Sequence, residues 1–374
     1  MPGTELFGAE ERKEIEDVLS TGILFRYNHD AQRNNIWKAK DFEAEAKKIT
    51  GAKYALAVSN GSAAILAALA ASGIGTGDEV ICPPFTYIAT IEAVLMLGAL
   101  PVFAEIDETL CLSAEGIKKV ITPKTKAICL VHMCGGNANM DEIMAVVKQH
   151  NLKLVEDAGQ AFAASYKGTA TGLFIYKLAD SYCDHGHDHI GNNRGMENHP
   201  VIGFNYRISE LHAAVGAAQT RKVPAIREAN LKNKAFLQKE LSKVEGINFS
   251  KLGDDNGDSG TFLNILMPDT ETAKRTIDEF NKAGVGGFNY WFTNMYHFIN
   301  QWEHIKGLKT ASKLAIQTLG ASQDYHNLDI PKTQAIVGRL ISFGIRCTWT
   351  EEELKTLAAK ISECATKALK PVNA

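Results

Sequence analysis

The stretch "YALAVSNGSAAILAALAAS" (residues 54–72) decides how the chain is read. Its first six residues, Tyr54–Ser59, form an apolar run of the length and composition of a buried strand. A small turn at Asn60–Gly61 follows, and the small apolar residues after it have helical spacing. A strand that passes through a glycine turn straight into a helix is a building unit of parallel α/β sheets. The turn also has chemical meaning. Gly61 permits close backbone approach, Ser62 offers a hydroxyl, and the unpaired N–H groups of a helix start attract anions. A helix end contributes about 0.3–2 kcal/mol of such attraction, so it helps to hold a phosphate without sufficing. Taken alone, the stretch reads first as an ordinary tight turn.

The same alternation continues outward. "EVICP" (79–83), "PVFAEI" (101–106), "AICLVHM" (127–133) and "KLVEDA" (153–158) read as further buried strands, separated by helical segments. The last of these helices, "MDEIMAVVKQH", begins after Asn139, a suitable N-cap. From Ser209 the chain is almost continuously helical, with Pro224 a break or kink and a link into a second domain. Beyond it come strand-like "TFLNILMP" (261–268), a helix "TAKRTIDEFNKAG", an aromatic cluster "FNYWFTNMYHF" (288–298), and a closing helix with a capping-box pattern from Thr350 to Glu353. The expected fold is α/β: a large domain over 1–225 with a mostly parallel sheet flanked by helices, and a smaller α+β domain over 226–374.

Composition narrows the function classes. The 374 residues are 45% hydrophobic and 22% charged, as in ordinary globular proteins. A net charge of -3 with interspersed signs gives no electrostatic reason to bind nucleic acid or an anionic membrane. Seven cysteines without a C-x-x-C pair read as reduced thiols. The charged N-terminal stretch has no signal-like apolar core, and the run "SAAILAALAASGIG" is too short to span a bilayer. A cytoplasmic protein is expected.

Two more features lie where open α/β sheets bind ligands, just past the carboxyl ends of strands. "PPFTYIATIEAV" places Tyr87 beside a helix start, where an aromatic ring can stack on a flat ligand or pack into the core. "LVEDAGQAF" places Glu156 and Asp157 at a strand end, where a carboxylate is costly to bury without a cationic partner. A protonated ring nitrogen is one such partner; capping the next helix is the plainer role.

In this order and spacing the three features resemble the sugar aminotransferases of the DegT/DnrJ/EryC1/StrS type, pyridoxal-phosphate enzymes of fold type I. The matching stretches are "FEAEAKKITGAKYALAVSNGSAAI", "GDEVICPPFTYIATIEAVLMLGALPVFAEID", "LVEDAGQAFAASYKG" and "GFNYRISELHAAVGAAQ", and the likeness covers nearly the whole chain. "FRYNHDAQRNNIWKAKD", "DETLCLS", "DHGHDHIGNNRG" and "YWFTNMYHF" are similar to the 8-amino-3,8-dideoxy-manno-octulosonate transaminase branch, which aminates an eight-carbon keto sugar. The resemblance implies that Gly61 and Ser62 hold the phosphate of pyridoxal 5′-phosphate, Tyr87 stacks on its ring, and Asp157 pairs with the protonated ring nitrogen, which makes the ring a better electron sink. Gln160 would pack against the cofactor and reach its phenolic oxygen. Asn205 would reach the phosphate from a partner subunit, implying a homodimer with shared active sites. Arg26, Tyr27, Trp291, Tyr296 and His297 are candidate substrate contacts, although such an aromatic and histidine cluster is more often packing than recognition. The implied reaction transfers an amino group, with glutamate as donor, to a keto sugar (an octulosonate or a nucleotide-linked sugar) for surface polysaccharide.

One part of the pattern is missing. The family's lysine, whose amine makes the Schiff base and shuttles the proton, lies some thirty residues beyond the ring-pairing aspartate. Here "SYKGTATGLF" resembles the lead-in to that segment and "IYKLADSYCDHG" the lead-out, and they join directly at Phe174–Ile175. About thirty residues of the pattern are absent, including a phosphate-binding serine, the lysine and a glycine turn. Lys167 belongs before the seam and Lys177 after it, so neither aligns with the Schiff-base position. The absent piece supplies roughly two strands; some six buried side chains at about 1.5–3 kcal/mol each come to about 10 kcal/mol. The cofactor is therefore expected to be held non-covalently or lost, and a lysine-less binding or scaffold homologue, or an incomplete version of a longer enzyme, is the alternative function.

Some relatives place a histidine at the lysine position, but "CDHGHDH", with Cys183, Asp184, His185, His187 and His189, resembles a family motif after the lysine segment and does not stand in for it. Imidazole and thiolate at short spacing suit zinc, yet an i, i+2, i+4 series shows no tetrahedral convergence, and no metal is expected. A nicotinamide-dependent dehydrogenase is disfavoured because "SNGSA" lacks the G-x-G-x-x-G fingerprint.

Overall fold

The computed structural model describes residues 3–171, 176–190 and 197–370, with the side chains of Tyr176 and Lys177 also outside the description. The Phe174–Ile175 seam lies outside the described residues. Helices α1 (Ala9–Thr21), α2 (Lys38–Thr50) and α3 (Gly61–Ala71) open the chain. Strand β1 (Glu79–Cys82), helix α4 (Ala89–Met96), strand β2 (Leu100–Phe103), helix α5 (Ala114–Val120), strand β3 (Thr125–Val131), helix α6 (Met140–His150) and strand β4 (Lys153–Asp157) then build a parallel sheet in the order β2-β1-β3-β4. Strands β1 and β2 are buried at every position and β3 at all but one, which accounts for their nearly unbroken apolar sequences.

Helix α3 is apolar around most of its circumference and largely buried, as befits a helix covered by the sheet on one side and other helices on the other. Its start is fixed by Asn60, whose side-chain oxygen accepts the Ala63 N–H at 2.8 Å. The strand expected at Tyr54–Ser59 is not built into the sheet. Among the described residues it pairs through an isolated antiparallel bridge from Val58 to Arg207, beside which Ser59 N–H donates to the Tyr206 carbonyl at 2.8 Å. A strand is stabilised by the ladder beside it, and β4, the last strand of the sheet on that side, pairs with β3 alone. Between β4 and the Tyr54–Val58 stretch no ladder runs among the described residues.

A short hairpin of β5 (Ser165–Tyr166) and β6 (Thr169–Ala170) precedes α7 (Tyr176–Cys183) and the 32-residue α8 (Glu210–Leu241). Helix α8 runs on through Pro224 without ending there, so the expected break becomes an interior position, and the 225/226 division falls within this helix. Strands β7 (Asn248–Phe249), β8 (Phe262–Leu266), β9 (Phe288–Tyr290) and β10 (Leu340–Gly344) form an antiparallel sheet in the order β7-β8-β10-β9. Helices α9 (Thr270–Lys282) and α13 (Glu351–Leu369) close its core, around Phe280, Phe343 and Ile361. Helix α13 is capped as the sequence suggests, by a capping box of Thr350 with Glu353, and Asp269 caps α9 by accepting the Thr272 N–H; Asn139, the N-cap expected for α6, makes no side-chain cap hydrogen bond. The short helices α10 (Glu303–Lys306), α11 (Ile316–Leu319) and α12 (Pro331–Gly338) belong to a different core. Trp291, Phe298, Trp302, Ile316 and Val337 cluster with Phe103 of the first sheet and with Leu69, Phe85 and Ile91 from the helices and loop around it. Residues from both sides of α8 therefore share one hydrophobic interior, which fixes how the second sheet stands over the carboxyl ends of the first.

Candidate functional site

The crevice lies past the carboxyl ends of β3 and β4. Asp157, the last residue of β4, holds its carboxylate in a fixed plane. One oxygen accepts the Gly159 N–H at 2.9 Å and the other accepts the Thr90 hydroxyl at 3.1 Å. Thr90 lies 3.0 Å from the hydroxyl of Thr86, and both threonines are fully buried. Beside them the Gln160 side-chain oxygen accepts the Cys134 N–H at 3.0 Å, which fixes the carboxamide and keeps its NH₂ as the donor. His132, just beyond β3, accepts the Ala138 N–H on Nδ1, so its proton sits on Nε2, 2.9 Å from Glu156. Glu156 is thus engaged by an imidazole, whereas Asp157 carries the carboxylate aligned toward the crevice loop.

The Tyr87 turn is tied to the chain after β9. Thr86 N–H donates to the His297 carbonyl and Ile88 N–H to the Tyr296 carbonyl, each at 2.9 Å. The Tyr87 ring is half-exposed, lies nearly parallel to Tyr296 at 6.2 Å, and meets the edge of His297 at 5.3 Å. His297 Nδ1 is 2.8 Å from Asn294 Oδ1, and burial pushes the imidazole down to about 4, so it is neutral near pH 7. Trp291 is buried, touches His297 at 4.7 Å, and donates Nε1–H to Ser342 at 2.7 Å; it forms a wall and not an open contact. A cleft of 1430 Å³ passes here, with Gly159, Gln160, Phe162, Trp291, Asn294 and His297 on its lining.

The remaining sequence candidates fall into two groups. Gly61 and Ser62 stand exposed in the first turn of α3, with open space where a Gly61 side chain would project. Asn205 is exposed and pairs its backbone with Asp184. Arg26 is buried, ion-paired to Glu43 at 2.6 Å and bonded to the Ala57 carbonyl; its guanidinium holds the Tyr54–Val58 stretch and offers no open face to a substrate. Tyr27 stacks on His189 at 4.6 Å and reaches Asp180 at 3.2 Å. The histidine loop is occupied internally: His187 meets Glu197 at 2.9 Å, His189 lies 3.6 Å from Asp184, and Asp184 is paired to Arg207. Among the described residues no group of three or more metal-ligating side chains is arranged to hold an ion.

The residues present fit pyridoxal phosphate as a non-covalent guest. The carboxylate of Asp157 suits a protonated ring nitrogen, the Gln160 NH₂ a phenolate, the half-exposed Tyr87 a ring face, and the α3 start a phosphate. No lysine lines the cleft among the described residues, and Lys167 is exposed and paired with Asp141. Lys234 is buried against Asp258, and the side chain of Lys177 lies outside the described residues. Sequence reasoning missed Thr86 and Thr90. Their signal was two hydroxyls four residues apart in an otherwise apolar stretch, a spacing that puts both on one side of a helix start.

Comparison with known proteins agrees with this geometry. A GDP-perosamine synthase of Caulobacter vibrioides is 34% identical over 229 residues, spanning 54% of this chain and 62% of that protein's length. The spore coat polysaccharide biosynthesis protein SpsC of Bacillus subtilis is 30% identical over 329 residues, covering 79% of this chain and 82% of that one. The crystal structure of an aminotransferase from Psychrobacter cryohalolentis superposes with a TM-score of 0.80 at 24% identity, over 97% of this chain and 98% of that one, so the fold is shared. The DegT/DnrJ/EryC1/StrS aminotransferase profile matches in two stretches, residues 7–176 and 174–362, which meet at the seam. With almost the whole chain so matched, the protein belongs to the DegT/DnrJ/EryC1/StrS aminotransferase family.

Proposed function

We propose that the chain carries the cofactor-binding frame of a pyridoxal-phosphate sugar aminotransferase that works in the cytoplasm, as a homodimer, in surface polysaccharide synthesis, and that as written it holds the cofactor without a covalent bond. When bound, pyridoxal phosphate supplies the electron sink for moving an amino group from an amino acid such as glutamate to a keto sugar. The observation that carries the reading is Asp157, held at the end of β4 by Thr90 and Gly159 beside Gln160 and the Tyr87 turn. Asp157 would keep a ring nitrogen protonated, Tyr87 would orient the ring, and the first turn of α3 with Ser62 would bind the phosphate. The substrate class is a nucleotide-linked keto sugar or an octulosonate; the names of the perosamine and spore coat relatives support the sugar. Exposed Ile202 and Phe204 next to Asn205 support a dimer face that brings Asn205 to the neighbouring site. A second reading, a binding or scaffold homologue without transfer, is favoured by the division of the family profile at residues 174–176, where the lysine-bearing segment is expected.

Titration with pyridoxamine 5′-phosphate and with pyridoxal 5′-phosphate followed by borohydride tests the proposal. The wild type is expected to bind both, Asp157→Asn to bind the first at least about tenfold more weakly, a loss of about 1.4 kcal/mol, and peptide mapping to find no pyridoxyl-lysine. A mapped pyridoxyl-lysine would sink the non-covalent reading; no binding of either compound would sink the cofactor reading.

A further inference from the structure

We infer that Thr90, backed by Thr86, is the positioning residue of the cofactor aspartate, and that the pair links Asp157 to the chain after β9. The inference rests on the cofactor reading above. Thr90 donates to one Asp157 oxygen at 3.1 Å, so its own oxygen is left to accept from Thr86, 3.0 Å away. The order of donation is then Thr86 to Thr90 to Asp157, with the Tyr87 carbonyl, 3.3 Å from the Thr86 hydroxyl, as the competing acceptor for its one proton, and hydroxyls donating in series polarise one another. Thr86 is in turn held by its backbone N–H on the His297 carbonyl, so the relay begins where the segment after β9 touches the first sheet. With Gly159 on the other oxygen, the carboxylate is bound at both ends and cannot rotate, which leaves its remaining lone pairs in one direction.

A buried threonine can also be no more than a satisfied hydroxyl in the first turn of α4. The two roles separate on a readout of the ring itself. In Thr90→Val the volume stays and the donor goes; in Thr90→Ser the donor stays. The probe is pyridoxamine 5′-phosphate, whose absorbance maximum reports whether the ring nitrogen is protonated. The expected result at neutral pH is that Thr90→Val binds the probe about tenfold more weakly and moves its band toward the unprotonated form, about 1.4 kcal/mol in affinity. Thr90→Ser restores both, and Thr86→Val gives the same band shift in smaller degree. A Thr90→Val protein with lower thermal stability but wild-type affinity and band overturns the positioning role, as does a Thr90→Ser protein that behaves like the valine variant. Asp157→Asn separates this failure from that of the cofactor reading. If that variant also binds as the wild type does, or if the wild type does not bind the probe, the cofactor reading falls and the positioning role with it.

Discussion

The two sides of the parallel sheet are built to different standards. On one side β2, β1 and β3 are sealed between helices, and Ile81, Ile128 and Leu130 have no exposed surface. On the other side β4 has a single neighbour among the described residues, and of its own five residues only Val155 is buried. Beyond it Tyr54–Val58, apolar enough for a central strand, keeps one bridge. Both sides carry strand-grade sequence, so the difference lies not in local propensity but in what stands beside it. Strands of a parallel sheet are stabilised by their ladders and by cover on both faces, and a lone apolar run obtains neither. The half-buried β4 and the unladdered Tyr54–Val58 stretch share no ladder among the described residues, and in sequence the family profile divides at residues 174–176.

Filling that division should erase the difference. Inserting the corresponding segment of the Caulobacter perosamine synthase between Phe174 and Ile175 is expected to raise the unfolding free energy by at least about 3 kcal/mol, allowing for apolar surface already covered in the unfolded chain. Urea denaturation measures it, and borohydride should then trap pyridoxal phosphate on the inserted lysine. An insertion that leaves stability unchanged would mean that β4 and Tyr54–Val58 are not ladder-forming. A smaller effect sharpens the contrast within the present chain. Ile128→Ala, in the sealed centre of β3, should cost about 2–5 kcal/mol, while Leu154→Ala on the half-buried β4 should cost about 1 kcal/mol. Equal losses would show that β4 is packed as tightly as β3.

The legibility of the sequence follows the same division. Strands β1 to β4, the capping box at Thr350 and the strand-end position of Asp157 were readable because each depends on local pattern or on a neighbour close in sequence, whereas Asn139 was read as a cap and makes no side-chain cap bond. The unbuilt strand at 54–59 was not, since its fate depends on partners far along the chain. Nor was the course of α8 through Pro224, where packing on α1 and α2 outweighs the missing hydrogen bond. In the site, local pattern put Tyr87 past a strand end, while Gln160 and His297 became candidates only through the family resemblance. The burial of Arg26 on Glu43 was hidden in the sequence, because an arginine in a polar loop announces neither its partner nor its depth.

His297 gives the smallest effect and the one that probes the junction of the two halves. In the folded chain burial holds its imidazole down to about 4, from an ordinary value of 6.5. Between those values the unfolded chain binds a proton that the folded chain refuses, so stability rises with pH across the window. The contribution is fully present above about 6.5 and is lost as the pH falls toward 4. For a partly exposed ring this amounts to about 1–2 kcal/mol. Unfolding midpoints measured from pH 7 to pH 4.5 should fall more steeply in the wild type than in His297→Gln, which keeps a polar group near Asn294 but cannot titrate. Equal slopes would mean that the ring reaches water before the fold opens. That outcome would place a mobile boundary between the Tyr87 turn and the segment after β9, at the contact from which the Thr86–Thr90 relay starts.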